Sequence, residues 1–429
     1  MAKLWKKSEE KLHPSVERYT AGTDHVFDMQ LMPFDIEATR AHAKGLQKIG
    51  ILTSEELSKI LSALDSLEKE FANGEIKITP ADEDCHTVME NYLVNKLGDT
   101  GKKIHTGRSR NDQVLVALRM YMRACARELH GASVELASSF LDKAEKYKDM
   151  PMPGYSHTQQ AMLTSVGHYL LAFTESLLDD ADHLALVLKH INKSPLGSAA
   201  GFGVSIPLDR EFTAKELKFD GVQVNSLYCQ NSRGKFESVF MEALAQIMLS
   251  LGKFANDMLM FTSNEFDFFS VDGSLTTGSS IMPQKRNLDV MEILRGNVSV
   301  VLADQLMVKD ISKNLLSGYN RDLQLLKKPV MESVEIVRSS LQVAGLMLSG
   351  MTPNEESMRA KITPGIFAAD IANQLVQEKG MPFRDAYKQA LDLVSSRPVD
   401  LKENLDSKVS LGAPGNLDLA NYRRRIKNA

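Results

Sequence analysis

The chain has 429 residues, of which 43% are hydrophobic and 25% are charged. Its 51 basic and 55 acidic residues give a net charge of −4, which disfavours a nucleic acid as the main partner. The three cysteines, Cys85, Cys125 and Cys229, lie too far apart for a disulfide scaffold, so we expect reduced thiols in the cytoplasm. Residues 1–7 are basic without a following apolar segment, and no apolar run reaches the ~18–20 residues of a membrane span. We therefore expect neither a signal peptide nor a membrane partner.

The predicted elements along the chain are mainly helices. Residues 12–101 have helical periodicity with frequent breaks, so we assign residues 1–110 to a small N-terminal helical domain. Four apolar seams follow, in which apolar residues alternate spacings of three and four. The seams begin at Val114, Val166, Phe240 and Leu294. They predict an elongated antiparallel bundle of long helices over residues 111–360, followed by a smaller C-terminal unit at residues 361–429.

Apolar residues also lie off the main seams, for example Leu249 and Met260. A helix that is apolar on more than one stripe is usually buried on more than one side, so a homo-oligomer is predicted. The acidic stretch 179–183 is interpreted as a solvated helix face, although Asp180 occupies the one polar position of the Val166 seam. The basic cluster at residues 423–427 is interpreted as a solvated C-terminal tail.

Motifs for several common cofactors are absent. The glycines at 197, 201 and 203 do not have the spacing of a dinucleotide-binding loop, and Gly45 and Gly50 lack the Lys-Ser/Thr of a phosphate-binding loop. None of the ten histidines forms a zinc-protease motif. We therefore expect no metal and no cofactor.

Three polar segments carry the candidate chemistry. Residues 105–113, His-Thr-Gly-Arg-Ser-Arg-Asn-Asp-Gln, precede a long helix and fit either an anion site or a polar cap. Residues 154–160 follow a Pro/Gly break and predict a second helix start, where His157 is either structural or catalytic. Residues 277–287, Thr-Gly-Ser-Ser-Ile-Met-Pro-Gln-Lys-Arg-Asn, are the most specific string. Their glycine, serines, lysine and asparagine suit the stabilisation of an oxyanion beside a nucleophile or base.

These strings resemble the fumarase/aspartase superfamily, whose members release fumarate from succinyl-containing substrates. Residues 278–287 are similar to the superfamily signature, while residues 105–113, 153–157 and 319–324 resemble its argininosuccinate lyase branch. The resemblance covers nearly the whole chain. It implies an all-α fold with three domains, a homotetramer built on a central long-helix bundle, and active sites that are each shared by three chains.

The resemblance also implies a reaction, the reversible β-elimination of argininosuccinate to L-arginine and fumarate, the final step of arginine biosynthesis. Ser279 would be the base that forms an aci-carboxylate, activated by Lys285, with Asn287 as a further donor. His157 would protonate the leaving nitrogen, paired with a buried Glu292. Family accounts also exchange base and acid between this histidine and serine, and both assignments stay open.

The implied substrate contacts divide by the two ends of the substrate. Ser109, Arg110 and Asn111, with the Ser156 hydroxyl, would hold the succinyl carboxylates. Tyr319, Gln324 and Lys327 would bind the arginine portion, mainly through its α-carboxylate. Asp84 would pair with a cationic group. Asp24, which is also implied as a substrate contact, stands where many members have serine, and Ser156 stands where threonine is usual, so both positions depart from the family pattern.

Two other functions remain open from the sequence. One is a different fumarate-releasing lyase, such as one acting on adenylosuccinate, although residues 105–113 lack the pattern of that branch. The other is a catalytically silent structural relative, comparable to the lens crystallins. The presence together of the five implied reactive residues argues against the silent relative. They are His157, Ser279, Lys285, Asn287 and Glu292.

Overall fold

The computed structural model describes residues 13–429, and these residues are mostly helical. The signal-peptide expectation concerns residues 1–7 and lies outside the described part. The helices are α1 Pro14–Ala21, α2 Asp24–Lys48, α3 Ser54–Ala72, α4 Cys85–Leu97, α5 Asp99–Lys102, α6 Arg110–Lys146, α7 Val166–Ile191, α8 Arg210–Glu216, α9 Ser226–Asn231, α10 Lys235–Phe261, α11 Asp289–Ser312, α12 Lys327–Gly350, α13 Glu355–Ala360, α14 Ala368–Lys379, α15 Phe383–Leu393, α16 Leu401–Asp406 and α17 Leu419–Asn428.

Short strands form two-stranded pairs between the helices. The strands are β1 Pro151–Ser156, β2 Gln159–Ser165, β3 Lys193–Ser194, β4 Gly221–Val222, β5 Phe269–Val271, β6 Thr277–Gly278, β7 Arg286–Asn287 and β8 Met351–Pro353. Strands β1 and β2, β5 and β8, and β6 and β7 pair antiparallel, and β3 pairs with β4 in parallel. The predicted all-α class is therefore confirmed, and the strands of residues 13–429 are short segments in the links between helices.

All four predicted seams lie in long helices. Helices α6, α7, α10 and α11 have 37, 26, 27 and 24 residues. At 1.5 Å per residue, α10 alone is about 40 Å long. Its seam from Phe240 to Met258 is at most 1% exposed, which explains why the 3.5-residue periodicity specified the helix.

One compact unit comprises residues 13–128, Leu184–Leu244 and Val301–Glu335. Helix α3 in this unit begins with a reciprocal cap, in which the Thr53 hydroxyl accepts the Glu56 amide and the Glu56 carboxylate accepts the Thr53 amide. A core cluster joins α2, α6, α8 and the adjoining loops. It contains Ala38, Ala41, Val116, Met120, Leu196, Ala214, Leu217 and Phe219.

The other unit comprises Leu129–His183, Ala245–Val300 and Ile336–Ala429. Phe140, Phe173 and Phe254 stack with ring centroids 5.1–5.5 Å apart, which fixes the α6, α7 and α10 segments of this unit. A second cluster packs the C-terminal helices on β2. It contains Leu163, Ile366, Phe367, Ile371, Ala372, Leu375, Ala386, Ala390 and Leu405. The three-domain division of residues 1–110, 111–360 and 361–429 stays a prediction.

The segment Ser226–Phe261 is long and apolar enough to pass a length-and-composition test for crossing a membrane. Its most apolar window has a mean hydropathy of 1.2, and 56% of that window is buried within the protein. No other stretch of the described residues passes the test. The core helix of a folded domain passes it equally well, and α10 is such a helix.

Residues 154–160 form a hairpin, so the predicted helix start is wrong. Ser156 pairs with Gln159, and the two residues between them, His157 and Thr158, have φ of 50° and 60°. Positive φ at both central positions is the conformation of a tight hairpin turn. Two prolines precede the turn, and their missing amide hydrogens disfavour a helix more than an edge strand.

The basic C-terminal cluster is part of α17 and not a tail, which corrects the sequence interpretation, although Arg423, Arg424 and Lys427 are solvent-exposed as expected. Arg425 contacts Asp179 Oδ1 at 2.7 Å and Asp182 Oδ2 at 2.9 Å on α7. The hydroxyl of Tyr422 donates to Glu175 at 2.9 Å, and Tyr422 is buried. Asp179 and Asp182 on α7 therefore contact the last helix, α17, through Arg425.

Asp180 in the same stretch is buried, although it was expected on a solvated face. The Ser250 hydroxyl donates to Asp180 Oδ2 at 2.7 Å and is 2.7 Å from the Ser176 hydroxyl. The pKa of Asp180 is raised to about 6, mainly by burial. Asp179 contributes to the rise, whereas Ser250 and His183 oppose it. A carboxylate in the α7 seam thus opposes folding wherever it is charged.

We expect Asp180→Asn to stabilise the protein by about 1–3 kcal/mol at pH 8. Because the folded pKa lies above the unfolded value, the charged carboxyl destabilises the wild type above pH 6. That penalty declines as the pH falls from 6 and is gone near pH 4. Urea midpoints at pH 8 and pH 4.5 measure the effect, with Asp142→Asn, at an exposed aspartate on α6, as the control. A gain that is equal at both pH values would contradict the explanation.

Candidate active site

The first polar segment, residues 105–113, contains the N-terminus of α6 and its capping residues. The Ser109 hydroxyl accepts the Asn111 amide at 3.3 Å, and Asp112 Oδ1 accepts the Ser109 amide at 2.9 Å. Asp112 Oδ2 accepts the amides of Gly197 and Ala199, both at 3.0 Å. Burial raises the pKa of Asp112 in spite of these hydrogen bonds. The polar-cap interpretation is therefore confirmed for Ser109 and Asp112, whereas the anion-site interpretation stays a prediction for Arg110 and Asn111.

Arg110 binds the N-terminal end of α4. Its guanidinium is 3.1 Å from Asp84 Oδ2 and donates to the Thr87 hydroxyl at 2.6 Å. Asp84 caps α4 by accepting the Thr87 amide at 2.8 Å. Burial opposes the charged carboxylate of Asp84, but His86 and Arg110 outweigh it and lower its pKa. The adjacent Glu83 contacts Arg321 at 2.6 Å.

Lys327 is buried between two carboxylates of α2. Its ammonium lies 2.8 Å from Asp24 Oδ2 and 2.6 Å from Asp28 Oδ1. Burial works against the ammonium, but Asp28 and Asp24 outweigh it and raise the pKa of Lys327. Burial also raises the pKa of Asp24 to about 6, because the Lys327 charge only partly offsets the loss of water and the nearby Asp28.

These side chains surround one cavity of about 180 Å³. Seven of its lining residues were predicted to bind substrate, and all come from the first compact unit. The lining residues are Asp24, Glu83, Asp84, Arg110, Asn111, Val114, Arg233, Tyr319, Arg321, Gln324 and Lys327. Acidic and basic side chains, most of them paired with one another, line the same space, which suits a ligand that carries both an ammonium or guanidinium and carboxylates.

Beneath the cavity lies a buried polar layer with the residue types of a metal site. Ligand atoms of Asp28, Cys85 and His86 lie within 4.8 Å of one another. However, Asp28 already accepts Lys327 and the Cys85 amide, and His86 Nδ1 is 2.6 Å from Asp35 Oδ2. Since a buried ammonium and a helix N-terminus adjoin the cluster, it suits charge pairing better than a cation.

The second compact unit contains three more of the predicted residues, Ser279, Lys285 and Asn287, on the short β6–β7 hairpin. Ser279 follows β6, and its hydroxyl oxygen accepts the amides of Ile281 at 3.3 Å and Met282 at 3.0 Å. Lys285 precedes β7 and is exposed, while Asn287 Nδ2 donates to the Gly278 carbonyl at 3.4 Å. Two amides directed at one serine oxygen favour a negative charge there, as a serine base requires.

Ser156 and His157 lie at the exposed turn of the β1–β2 hairpin, in the same unit. Glu292 lies on the first turn of α11 and is also exposed in the single chain, so the expected buried carboxylate is not found. Among residues 13–429 no hydrogen bond or ion pair joins His157 to Glu292. Helix α11 presents several exposed apolar side chains near Glu292, and a carboxylate on an uncovered helix face has nothing to bury it.

Three residues of the cavity were missed as binding residues by the sequence analysis: Glu83, Arg233 and Arg321. Arg321 stood within residues 319–324, which were already singled out, and Glu83 stood beside Asp84, so only the pairing of Arg321 with Glu83 was unpredictable. Arg233 stood in the link Ser-Arg-Gly between two helices, and no spacing pattern marks it. Its burial was the missing signal, since a buried arginine without an acidic partner is unusual.

The sequence profile of the lyase family matches residues 13–303, which places the chain among lyases. The argininosuccinate lyase of Thermotoga neapolitana is 43% identical over 390 residues, covering 91% of this chain and 98% of the relative. Those of Sorangium cellulosum and Xanthomonas campestris pv. campestris are 42% and 39% identical, covering 95% and 98% of both chains. The chain therefore belongs to the argininosuccinate lyase family of the fumarase/aspartase superfamily.

Solved structures agree with this fold at low sequence identity. An EDDS lyase in complex with formate superposes with a TM-score of 0.78 at 23% identity, covering 98% of this chain and 90% of that one. A fumarate lyase:delta crystallin from Brucella melitensis bound to cobalt gives a TM-score of 0.74 at 18% identity, with coverages of 96% and 94%. These likenesses show a common fold.

Proposed function

We propose that this chain catalyses the reversible cleavage of argininosuccinate to L-arginine and fumarate, the final step of arginine biosynthesis. The observation that carries the proposal is the cavity in the first unit. Seven residues from four separate parts of the sequence, all implied as substrate contacts, line that one space. Its acidic and basic side chains match a substrate that carries a guanidino group, an α-amino group and three carboxylates.

The difficult step is removal of a proton from the carbon beside a carboxylate, which leaves an aci-carboxylate dianion. Fixed donors and positive charge must therefore meet that charge as it develops. We assign the proton abstraction to Ser279, whose oxygen already accepts two backbone amides. Lys285 and Asn287, on the same hairpin, stabilise the dianion. The proton passes to the Ser279 oxygen, and the electron pair of the broken C–H bond enters the adjacent carboxylate as the aci-carboxylate. That pair then forms the C=C bond of fumarate while the C–N bond breaks and its electrons leave with the guanidino nitrogen.

The departing guanidino nitrogen needs a proton, and His157 is assigned as its donor. The turn in which His157 stands holds the ring on an exposed tip, where a substrate or a neighbouring subunit can reach it. Glu292 would orient the imidazole once a partner subunit covers α11. Ser109, Arg110 and Asn111, with Ser156, hold the succinyl carboxylates, and Tyr319, Gln324 and Lys327 face the arginine portion. Asp84 and Asp24 supply negative charge to its cationic groups.

A homotetramer with shared active sites is part of the proposal, and so is a cytoplasmic location. Helix α11 leaves apolar side chains in water that a partner helix would cover. Their exposed fractions are 66% for Ile293, 45% for Val300 and 66% for Leu306. His157, Lys285 and Glu292 are likewise exposed in the single chain, and Ser279 and Asn287 are half-buried, which is expected if other subunits complete their surroundings.

The test follows fumarate absorbance after argininosuccinate is added to the purified protein, with adenylosuccinate as the control substrate. We expect fumarate from argininosuccinate alone, and arginine in equal amount. Fumarate from adenylosuccinate alone would transfer the activity to that branch of the superfamily. No fumarate from either substrate, with a folded tetramer, would reject the enzyme assignment and favour a structural role.

A further inference from the structure

The β1–β2 hairpin, which carries His157 at its turn, is fastened by the side chain of Gln160. Gln160 Nε2 donates to the Lys361 carbonyl at 2.6 Å. Its Oε1 accepts the Thr363 amide at 3.2 Å and the Thr363 hydroxyl at 2.9 Å. Lys361 follows the last residue of α13, and Thr363 precedes the 3-10 helix Pro364–Phe367. One side-chain amide therefore satisfies backbone groups at the end of one helix and at the beginning of the next.

The link that Gln160 binds is itself held to the rest of the second unit. The Lys361 ammonium donates to the Phe266 carbonyl at 2.8 Å and also to the carbonyl of Glu265. The Phe266 ring packs edge-on against Tyr155, with ring centroids 5.6 Å apart. Tyr155 is the cross-strand partner of Gln160. Both strands of the hairpin therefore meet the same support, one through a ring and the other through an amide.

The tip of the hairpin beyond Gln160 is exposed over residues 156–159. Its two central residues, His157 and Thr158, have φ of 50° and 60° although neither is glycine. Such a backbone persists where the surrounding structure holds it, and a two-stranded hairpin alone is only marginally stable in water. The strand pair of Tyr155 and Gln160 is one pair away from the turn. It is therefore well placed to fix the conformation of the tip.

We propose that Gln160 is a positioning residue, which fixes the hairpin to the 361–363 link and so holds His157 where it protonates the departing nitrogen. This inference rests on the proposed function and deepens it, because it assigns a role to a side chain that is bound to the C-terminal helices and not to substrate. A general acid must lie within hydrogen-bond reach of the atom that it protonates. A shift of about 1 Å at the tip would therefore lower the rate by up to about 10²-fold.

The test uses Gln160→Met, which keeps the length of the side chain and removes its three hydrogen bonds. In D2O, removal and return of the proton beside the carboxylate labels argininosuccinate with deuterium, whereas fumarate appears only after the C–N bond breaks. A misplaced acid slows the second event and not the first. We expect kcat for fumarate to fall at least about tenfold with KM within about threefold. The ratio of deuterium uptake to fumarate release should rise at least about tenfold.

Further variants separate positioning from folding. Gln160→Glu keeps the acceptor for Thr363 and loses the donor to the Lys361 carbonyl, so its ratio should lie between those of the wild type and Gln160→Met. Thr363→Val removes a donor of the same contact, and its effect should not add to that of Gln160→Met. Gln377→Ala, at an exposed glutamine of α14, is the control and should keep both rates within about threefold.

Hydrogen exchange of the amides of residues 151–165, followed by mass spectrometry, gives a reading without turnover. Gln160→Met should exchange there at least about tenfold faster than the wild type. Equal losses of deuterium uptake and fumarate release would overturn the proposal, since the variant would then contain less active protein. Unchanged rates, or hairpin amides that exchange as in the wild type, would overturn it as well.

Two further outcomes keep the proposal separate from its premise. If the wild type releases no fumarate, the proposed function fails, and exchange of the hairpin amides alone decides the role of Gln160. If Gln160→Met does not fold, Gln160→Glu and Thr363→Val carry the same comparison of the two rates.

Discussion

Ser279→Ala is expected to lower kcat for fumarate release by at least about 10³-fold, with a much smaller effect on KM. The side chain is a short hydroxyl on a hairpin, and the neighbouring Ser280 hydroxyl does not replace it, because the amide contacts are made to Ser279. The amides of Ile281 and Met282 converge on the Ser279 oxygen, so the loss removes the group that they would stabilise as an alkoxide. Substrate contacts in the other unit remain, which is why KM should change little.

The matched control is Ser280→Ala, one residue further along the same hairpin. Ser280 is exposed, and its hydroxyl accepts neither the Ile281 amide nor the Met282 amide, both of which donate to Ser279. We expect Ser280→Ala to keep kcat within about threefold of the wild type. Retention of more than about a tenth of the activity by Ser279→Ala would remove Ser279 as the base. His157 would then take that role, as the alternative assignment holds.

The sequence was informative where one stretch of chain determines its own environment. The seam of α10 specified a long helix because every third or fourth residue is apolar and buried. Ser109 and Asp112 behave as a helix start because both capping contacts are local. Seven cavity residues were also anticipated, but through the resemblance and not through spacing.

The sequence was uninformative where distant parts of the chain meet. Lys327 is 299 residues from Asp28 along the chain, and neither segment contains a pattern that predicts their ion pair. The basic cluster at residues 423–427 seemed solvated because its acidic partners lie on α7. Residues 154–160 were misread because a Pro/Gly break precedes helices and hairpins alike, and only the positive φ of His157 and Thr158 distinguishes them.

Lys327→Met is expected to destabilise the protein by about 3–5 kcal/mol, because it leaves the carboxylates of Asp24 and Asp28 buried without their cation. The adjacent Lys328 is exposed, and Lys328→Met is the control, expected to change stability by at most about 0.5 kcal/mol. Urea midpoints at fixed protein concentration measure both effects.

The pH dependence separates a lost charge pair from lost packing. Without the ammonium, the folded pKa of Asp24, which burial already raises, rises further, so protonation of Asp24 relieves the folded state. The deficit of Lys327→Met should therefore be largest at pH 8 and shrink as the pH falls through 6 towards 4. Adding Asp28→Asn to Lys327→Met removes one orphaned charge and should recover part of the loss at pH 8, with little effect at pH 4.5. A deficit that is independent of pH, or unrelieved by Asp28→Asn, would mean that Lys327 stabilises the fold through its methylene groups and not through its charge.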